Sequence, residues 1–568
     1  MGEPENAASS LVELRVLDGP NLYFPRAAVK LTLDLTVVLD LPEDDARALA
    51  ARIGMSRARP GPPATAFRQR FAARAVARLV RQVAGEAGTT RLAVRARPTT
   101  ELRRIVVAYP WRNQDRAEAL GRAVAAVLDG LPTTDFDGLL EAAADQVRQA
   151  RRGEHPPTIR PRIRVVAVTG TNGKTTTSRM IAHIGRCAGL HVGWSSTDGV
   201  YIDGVLVEAG DYSGPSGAGR VLSHPEVELA VTETARGGIL LRGVGVTHND
   251  VAVVTNISAD HLGLQGIDSL DQLAEVKAVI TRITRPDGWC VVNGDDPRTM
   301  AMRLDSPART WVFCRDPDAP AVRQVLNEGG RATTLIDGWV AVVEPRGDAD
   351  PLVPAVDVPM TLAGISRFNV ENALAAASAG LGVGLPKPAV VDGLRSFRPD
   401  PELNPGRMNV YSLGPLTVVL DLAHNEVGLE ALVEIGRGLL PAEARLHLVV
   451  GTAGDRSDEV LRGIGEIGAR GADVMVVAHK PKYLRGRELD EMDRLFKEGA
   501  EAVGVTDVAS YDSELEAIEA MVDRAEPGDV IAVMCHAQRV EIDAWLRDRG
   551  GTVDDPDTLR AKVVAATG

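Results

Sequence analysis

The chain has 568 residues, 45% of them apolar and 25% charged, with a formal net charge of −13. That length is too great for a single core and predicts about three or four globular domains, while the acidic balance argues against general nucleic-acid binding. No apolar run approaches the ~20 residues of a membrane span, no charged-then-apolar signal pattern opens the chain, and Cys187, Cys290, Cys314 and Cys535 form neither a zinc spacing nor a disulfide framework, so the chain reads as cytoplasmic.

Residues 1–155 read as a small α+β domain. A polar leader, Met1 to Ser10, precedes Leu14-Arg-Val-Leu-Asp-Gly-Pro-Asn21 and the alternating strand Val29–Leu35. Alternation puts Leu31, Leu33 and Leu35 on one face, as in a half-buried antiparallel sheet. A helix is predicted over Thr65–Val83, with Phe67, Phe71, Val76, Leu79 and Val80 at helical spacing and arginines opposite. Those arginines read as a solvated basic face, with contact to an acidic polymer as the alternative. A strand over Glu101–Ala108 and helices over Gln114–Leu128 and Asp135–Arg151 complete this part.

The proline-interrupted stretch Arg152–Pro161 is a linker, beyond which strands alternate with helices, so a second domain is predicted over 160–400. It opens with Ile163 to Ile184, which reads as a buried strand, the turn Gly170-Thr-Asn-Gly173 and an amphipathic helix. Such a turn is a phosphate cradle: Gly170 and Gly173 admit backbone N–H groups to a polyphosphate, Lys174 neutralises its terminal oxygens and the Thr175 hydroxyl suits Mg²⁺. The general motif also wants a glycine six residues before the lysine, where this chain has Val168. A strand over Val192–Ser196, a hairpin over Gly199–Val207 turning at Asp203-Gly204 and a loop over Asp211–Ser216 follow. The strand Leu229–Thr232 delivers Glu233, and Val251–Asn256 ends before Asp260 and His261. Open parallel sheets bind ligands at the carboxyl ends of their strands, so Lys174, Glu233 and His261 are expected in one crevice.

A helix over Ser269–Thr284 carries Lys277, Asn293–Pro297 closes a further strand, and Arg309–Val356 reads as a β-rich excursion. The helix from Phe368 exposes Asn369 and Asn372 in its first turn, and the prolines between Phe397 and Pro405 mark a boundary. The third domain, 401–568, again alternates: Leu416–Leu422, Glu426–Leu439, Leu446–Val450, Val474–Ala478, Glu514–Arg524, Val530–Met534 and Arg539–Asp548. That rhythm implies a doubly wound, Rossmann-like sheet. Cys535-His536 at a strand end is read as coincidence, because adjacent strand side chains face opposite ways.

Five ordered motifs now stand together: Gly-Thr-Asn-Gly-Lys-Thr-Thr at 170–176, Thr-Asn-Ile-Ser-Ala-Asp-His-Leu at 255–262, Asn-Val-Glu-Asn-Ala-Leu at 369–374, Pro-Gly-Arg at 405–407 and Asp-Leu-Ala-His-Asn at 421–425. Their order resembles the Mur ligase superfamily from Arg160 onward. Asp211-Tyr-Ser-Gly-Pro215, Glu233-Thr-Ala-Arg-Gly-Gly-Ile-Leu240, Leu484-Arg-Gly-Arg487 and Leu17-Asp-Gly-Pro-Asn21 further resemble the cyanophycin synthetase group, whose ATP-grasp domain is replaced here by the short linker.

The resemblance implies an ADP-forming ligase that activates a carboxylate as an acyl phosphate and joins it to an amino acid or other amine. It implies ATP contacts from Gly170, Thr171, Asn172, Gly173, Lys174, Thr175 and Thr176, with Asn369 on the adenine side, Arg407 on phosphate and Asp421 near the ribose. Two Mg²⁺ ions are implied on Thr175, Glu233, His261 and Lys277, the lysine in carbamylated form. Substrate contacts are expected from Arg236, His424, Asn425, Arg485 and Arg487. Plainer alternatives stand beside these: an ion pair between Glu233 and Lys277, helix caps at His261 and Asn369, and a solvated basic stretch around Lys480, Lys482, Arg485 and Arg487. Acid and amine small molecules or peptides are the expected partners, with a separate ATP-grasp enzyme or self-association left open. The functional alternatives are a Mur- or folylpolyglutamate-type ligase of an unrelated acid and a non-catalytic ATP-binding regulator.

Overall fold

The computed structural model describes residues 10–131, 135–259 and 262–567, which form three sheets with helices packed against them. The first is antiparallel, in the order Leu11–Leu17, Ala28–Asp34, Arg104–Pro110, Arg95–Pro98. Leu31 and Leu33 are fully buried beneath the helices Ala66–Glu86, Gln114–Asp129 and Phe136–Gln149, as the alternation requires. Asn21 ties the Leu17–Asn21 stretch together: its Oδ1 accepts from the N–H groups of Tyr23 and Phe24 at 2.9 and 3.0 Å, and its Nδ2 donates to the carbonyls of Gly19 and Arg26. That stretch then docks on the second sheet's helices. Asp18 N–H donates to the Arg242 carbonyl at 2.7 Å, Val244 N–H donates to the Pro20 carbonyl at 2.7 Å, and the Arg242 guanidinium pairs with Asp18 at 2.7 Å.

The second sheet has 11 strands. Seven of them are parallel, in the order Arg331–Ile336, Arg309–Phe313, Thr284–Asn293, Asn249–Val254, Arg164–Thr169, Leu229–Glu233, Val192–Ser196. Antiparallel hairpins extend both ends. The central strands are near-continuous Val and Ala runs because helices cover both faces. The residues expected to form a β-rich excursion from Arg309 therefore continue the same sheet. The helix expected over Ser269–Thr284 is two, Leu270–Lys277 and Val279–Arg282, and Thr284 begins a strand. Pro215, expected in a loop, opens a helix to Ser223, where its fixed φ and missing N–H are tolerated.

The third sheet runs Ala509–Tyr511, Val474–Ala478, Leu446–Val450, Val530–Met534, Leu416–Asp421, Asn409–Leu413, Thr552–Val553. Its first five strands are parallel. One continuous apolar cluster joins it to the second sheet, so the carboxyl ends of Arg164–Thr169 and Leu416–Asp421 are held against each other across a cleft.

Candidate functional site

The strand Arg164–Thr169 is buried from Val165 onward and flanked by parallel neighbours, so the chain leaves the sheet at its carboxyl edge as the turn 170–173. Gly173 takes φ +83° as the helix N-cap, and a Cβ there would lie 2.3 Å from Asn372 Oδ1. A Cβ at Gly170 would lie 1.8 Å from Thr255 Oγ1. The turn is laced to the end of the next strand. Thr171 N–H donates to the Asn256 carbonyl and Asn172 N–H to Asn256 Oδ1, both at 2.9 Å, while Thr255 Oγ1 donates to the Asn172 carbonyl at 2.6 Å. The backbone is thus fixed before any ligand arrives, and the first N–H groups of the helix Lys174–Cys187 lack intrahelical acceptors. Lys174 Nζ folds back to donate to the Thr171 carbonyl at 2.8 Å.

Thr175 Oγ1 donates to Glu233 Oε2 at 2.9 Å. Glu233 is 1% exposed, and its other oxygen, Oε1, is buried with no hydrogen-bond partner among the described residues. A carboxylate oxygen buried without a donor is costly unless a cation completes its shell, so this pair fits Mg²⁺. Lys277, also buried, donates to the Gly170 carbonyl at 2.5 Å. A surface ion pair between Glu233 and Lys277 is thereby replaced by two separate anchors on the cradle. Asp260 and His261 lie outside the described residues.

Across the cleft stand Arg407, Asp421 and His424, while Asn369 and Asn372 line it from the cradle's own side, where Thr177 Oγ1 donates to Asn372 Oδ1 at 3.1 Å. Arg407 Nη2 donates to Thr175 Oγ1 at 3.4 Å, and its buried Nε has no partner among the described residues. Asp421 accepts from Met408 N–H at 3.0 Å; burial pushes its carboxyl up to about 6 against the opposing pull of Arg407. Asn425 bridges the sheets, its Oδ1 accepting from Gly428 N–H at 2.9 Å and its Nδ2 donating to Asn172 Oδ1 at 3.1 Å. Asn369 does not cap its helix: Ser366 does, and Asn369 Oδ1 instead accepts from Asn372 Nδ2 at 3.0 Å. His424 Nδ1 lies 3.1 Å from the Leu422 carbonyl.

The remaining expected contacts lie apart from this cleft. Arg236 opens the helix Arg236–Leu241, with Nη1 3.4 Å from the Leu264 carbonyl. Arg485 pairs with Asp455 at 2.5 Å. Arg487 donates to the carbonyls of Gly454 and Arg456 and to Asp458 and Glu491, at 2.7 to 3.1 Å. Lys480 is not solvated. It is buried against Glu514 at 2.9 Å and meets His536 Nδ1 at 2.5 Å, while His536 Nε2 faces the Ala423 carbonyl at 2.6 Å. Burial, with Lys480 adding to it, holds His536 neutral, and burial beside Glu514 pushes the Cys535 thiol up, so the two do not form a nucleophile pair.

Sequence reasoning overlooked Asp198. Its carboxylate joins Arg179 of the cradle helix, at 2.9 Å, to Arg539, which opens the helix Arg539–Asp548 beside the third sheet, at 2.8 Å. Burial opposes its charge, but Arg179, Arg407 and Arg539 outweigh burial and hold the carboxyl below the usual range. The signal was available, because Asp198 follows the strand Val192–Ser196 at the same carboxyl edge as Glu233.

The comparisons with known proteins fall on these same residues. The sequence profile of the Mur ligase middle domain matches residues 168–380, and that of the Mur ligase, glutamate ligase domain, matches 406–536. Cyanophycin synthetase of Crocosphaera subtropica is 39% identical over 381 residues, 66% of this chain and 43% of that protein, so the chain spans less than half the length of that relative. UDP-N-acetylmuramyl-tripeptide synthetase of Deinococcus radiodurans is 31% identical over 437 residues, 73% of this chain and 82% of that protein. The solved structure of E. coli FolC in complex with ADP shares the fold, with a TM-score of 0.50 at 20% identity over 69% of this chain and 91% of that one. With its middle and third sheets matched in order and most of a tripeptide synthetase covered, the chain belongs to the Mur ligase family.

Proposed function

We propose that the chain is an ADP-forming ligase that converts a carboxylate to an acyl phosphate with Mg·ATP and then joins it to an amine. The observation that carries this reading is the Thr175–Glu233 pair: Glu233 keeps one buried carboxylate oxygen open, Thr175 follows Lys174 at the start of the cradle helix, and Arg407 reaches Thr175 Oγ1. Phosphoryl transfer needs positioning and charge neutralisation more than covalent help. Residues 170–176 would seat the phosphates, with Thr175 and Glu233 as protein ligands of Mg²⁺, which would shield the charge that builds between carboxylate and γ-phosphate. Arg407 and Asp421 would complete the site from the third sheet, near phosphate and ribose respectively, with Asn369 toward the base. The cleft would exclude water from the acyl phosphate until the amine displaces phosphate.

Lys277 belongs to the same reading. Carbamylation at Nζ would turn it from a donor on Gly170 into an oxygen ligand for a second Mg²⁺ together with His261; activity that rises with added bicarbonate is its expected signature. Three functional units, 1–155, 160–400 and 401–568, would follow the three sheets. The likeness to part of cyanophycin synthetase supports one ligation step of that kind; in our proposal it is the second half-reaction of such a cycle, with a separate ATP-grasp enzyme supplying the other step. Arg236, His424, Asn425 and Arg485 remain the proposed contacts to acid and amine, whereas Arg487, held by two carbonyls and two carboxylates, would act as a brace.

The test is ADP release across a matrix of acids and amines, with products identified by mass spectrometry and Lys174→Ala as control. ADP release that depends on an acid–amine pair, with a condensed product, is expected; release indifferent to both partners contradicts the reading.

A further inference from the structure

Two clefts open on the first sheet and its helices, and they treat positive charge in opposite ways. The larger faces the second sheet and holds Arg15, Lys30, Arg97 and Arg104. Each of those cations meets a carboxylate: Arg15 and Lys30 meet Glu13, Arg97 meets Glu275 at 2.7 Å, and Arg104 meets Glu101 at 2.7 Å. Three carboxylates thus offset most of the charge of that cleft's four cations.

The other cleft lies where the strand Arg104–Pro110 passes into the helix Gln114–Asp129, beside the segment that follows Glu86. Arg26, Arg91, Arg112 and Arg116 line it, and no aspartate or glutamate does. Among the described residues none of the four makes an ion pair. Arg116 is the least exposed: Nη2 donates to the Ala150 carbonyl at 3.5 Å, and Nε is buried with no partner. Asn113, the helix N-cap, also lines the cleft and makes no capping bond with its side chain; Gln114 N–H donates to the Glu154 carbonyl at 3.0 Å, and Asp115 in the first turn opposes the helix dipole, so the field of the cleft comes from its arginines. Leu92 and Trp111 supply apolar wall.

Four guanidinium groups around one concavity, with a buried N–H left over, are mutually repulsive until an anion enters. Arginine forks suit planar or tetrahedral oxyanions through paired hydrogen bonds. We propose that this cleft binds a small ligand carrying two or more oxyanion groups, carboxylate or phosphate. It shares no lining residue with the nucleotide cleft, so the inference stands apart from the ligase reading.

Titration calorimetry on the full chain, with citrate and with tripolyphosphate as separate probes, tests this and tells carboxylate from phosphate. Lys174→Ala removes the main cradle cation, Arg91→Glu/Arg112→Glu reverses charge in the cleft, and Arg57→Glu/Arg59→Glu makes the same charge change at exposed positions outside it. At least one probe is expected to bind one-to-one and to weaken at higher salt. Its Kd should rise tenfold or more in Arg91→Glu/Arg112→Glu, and stay within twofold in Lys174→Ala and in Arg57→Glu/Arg59→Glu. Arg26→Gln, at an exposed side chain, should weaken binding by itself and covers the case in which the double reversal fails to fold. Binding of neither probe, binding lost with Lys174 but kept in the cleft variants, or equal weakening by both charge-reversal pairs overturns the proposal.

Discussion

The cradle after Thr169 and the arginine segment after Leu484 are both polar turns beside parallel sheets, yet their side chains are in opposite states. In the cradle the turn is tied to the neighbouring strand and the chemistry is left open: among the described residues, Glu233 keeps a buried oxygen without a donor, and Arg407 keeps a buried Nε without an acceptor. In the other segment Arg487 is fully engaged, two carbonyls and two carboxylates holding its guanidinium, and Lys480 is buried against Glu514. Open valence marks a place prepared for a ligand, whereas satisfied valence marks a brace.

Substitutions can break that contrast, beginning with the largest effect. Lys174→Ala should lower acid-dependent ADP release by about 10²–10³-fold while urea unfolding stays close to that of the parent, because Lys174 makes one bond to a neighbouring carbonyl. Glu233→Gln should cost about 10²-fold and raise the Mg²⁺ concentration needed for half-maximal rate; an unchanged metal requirement would remove Glu233 from the metal site. Arg407→Ala is expected to slow turnover about ten- to a hundredfold, read as kcat in steady-state assays.

Arg487→Ala should behave the other way. Losing a brace with four acceptors is expected to lower unfolding free energy by about 2 kcal/mol in urea titrations, with KM for the amine little changed. A large rise in that KM at unchanged stability would instead make Arg487 a substrate clamp. The smallest effect is in pH. The Asp421 carboxyl, raised to about 6 by burial, lies above its unfolded value near 4, so the folded state holds more protons across that window. Its contribution to stability should therefore fall as pH rises from about 4 to about 6. Asp421→Asn should flatten that part of the pH profile of the urea midpoint.

The cradle was legible because its chemistry is local: strand, glycine turn, Lys174 and Thr175 are consecutive, and the helix start follows from them. Glu233 was legible by rule, since a parallel strand must deliver its last residue to the carboxyl edge. The strand Leu416–Asp421 and the helix Glu426–Gly438 were likewise visible as alternating apolar patterns. What escaped reading depends on long-range pairing. Asp198 could be placed at the carboxyl edge by the same rule as Glu233, but its partner Arg539, 341 positions later, could not. Lys480 looked solvated beside Lys482 because nothing local announces Glu514. The strand Asn409–Leu413 was missed because it pairs antiparallel at an otherwise parallel edge, outside the strand–helix rhythm.

The central claim is that the open valence around Thr175 and Glu233 serves the activation of a carboxylate by ATP. With an acid that supports ADP release, labelled with ¹⁸O in its carboxylate, the phosphate released during amide formation should carry one ¹⁸O atom per turnover by mass spectrometry. Stoichiometric ADP with unlabelled phosphate would mean that water, not the carboxylate, attacks the nucleotide, and would contradict the account.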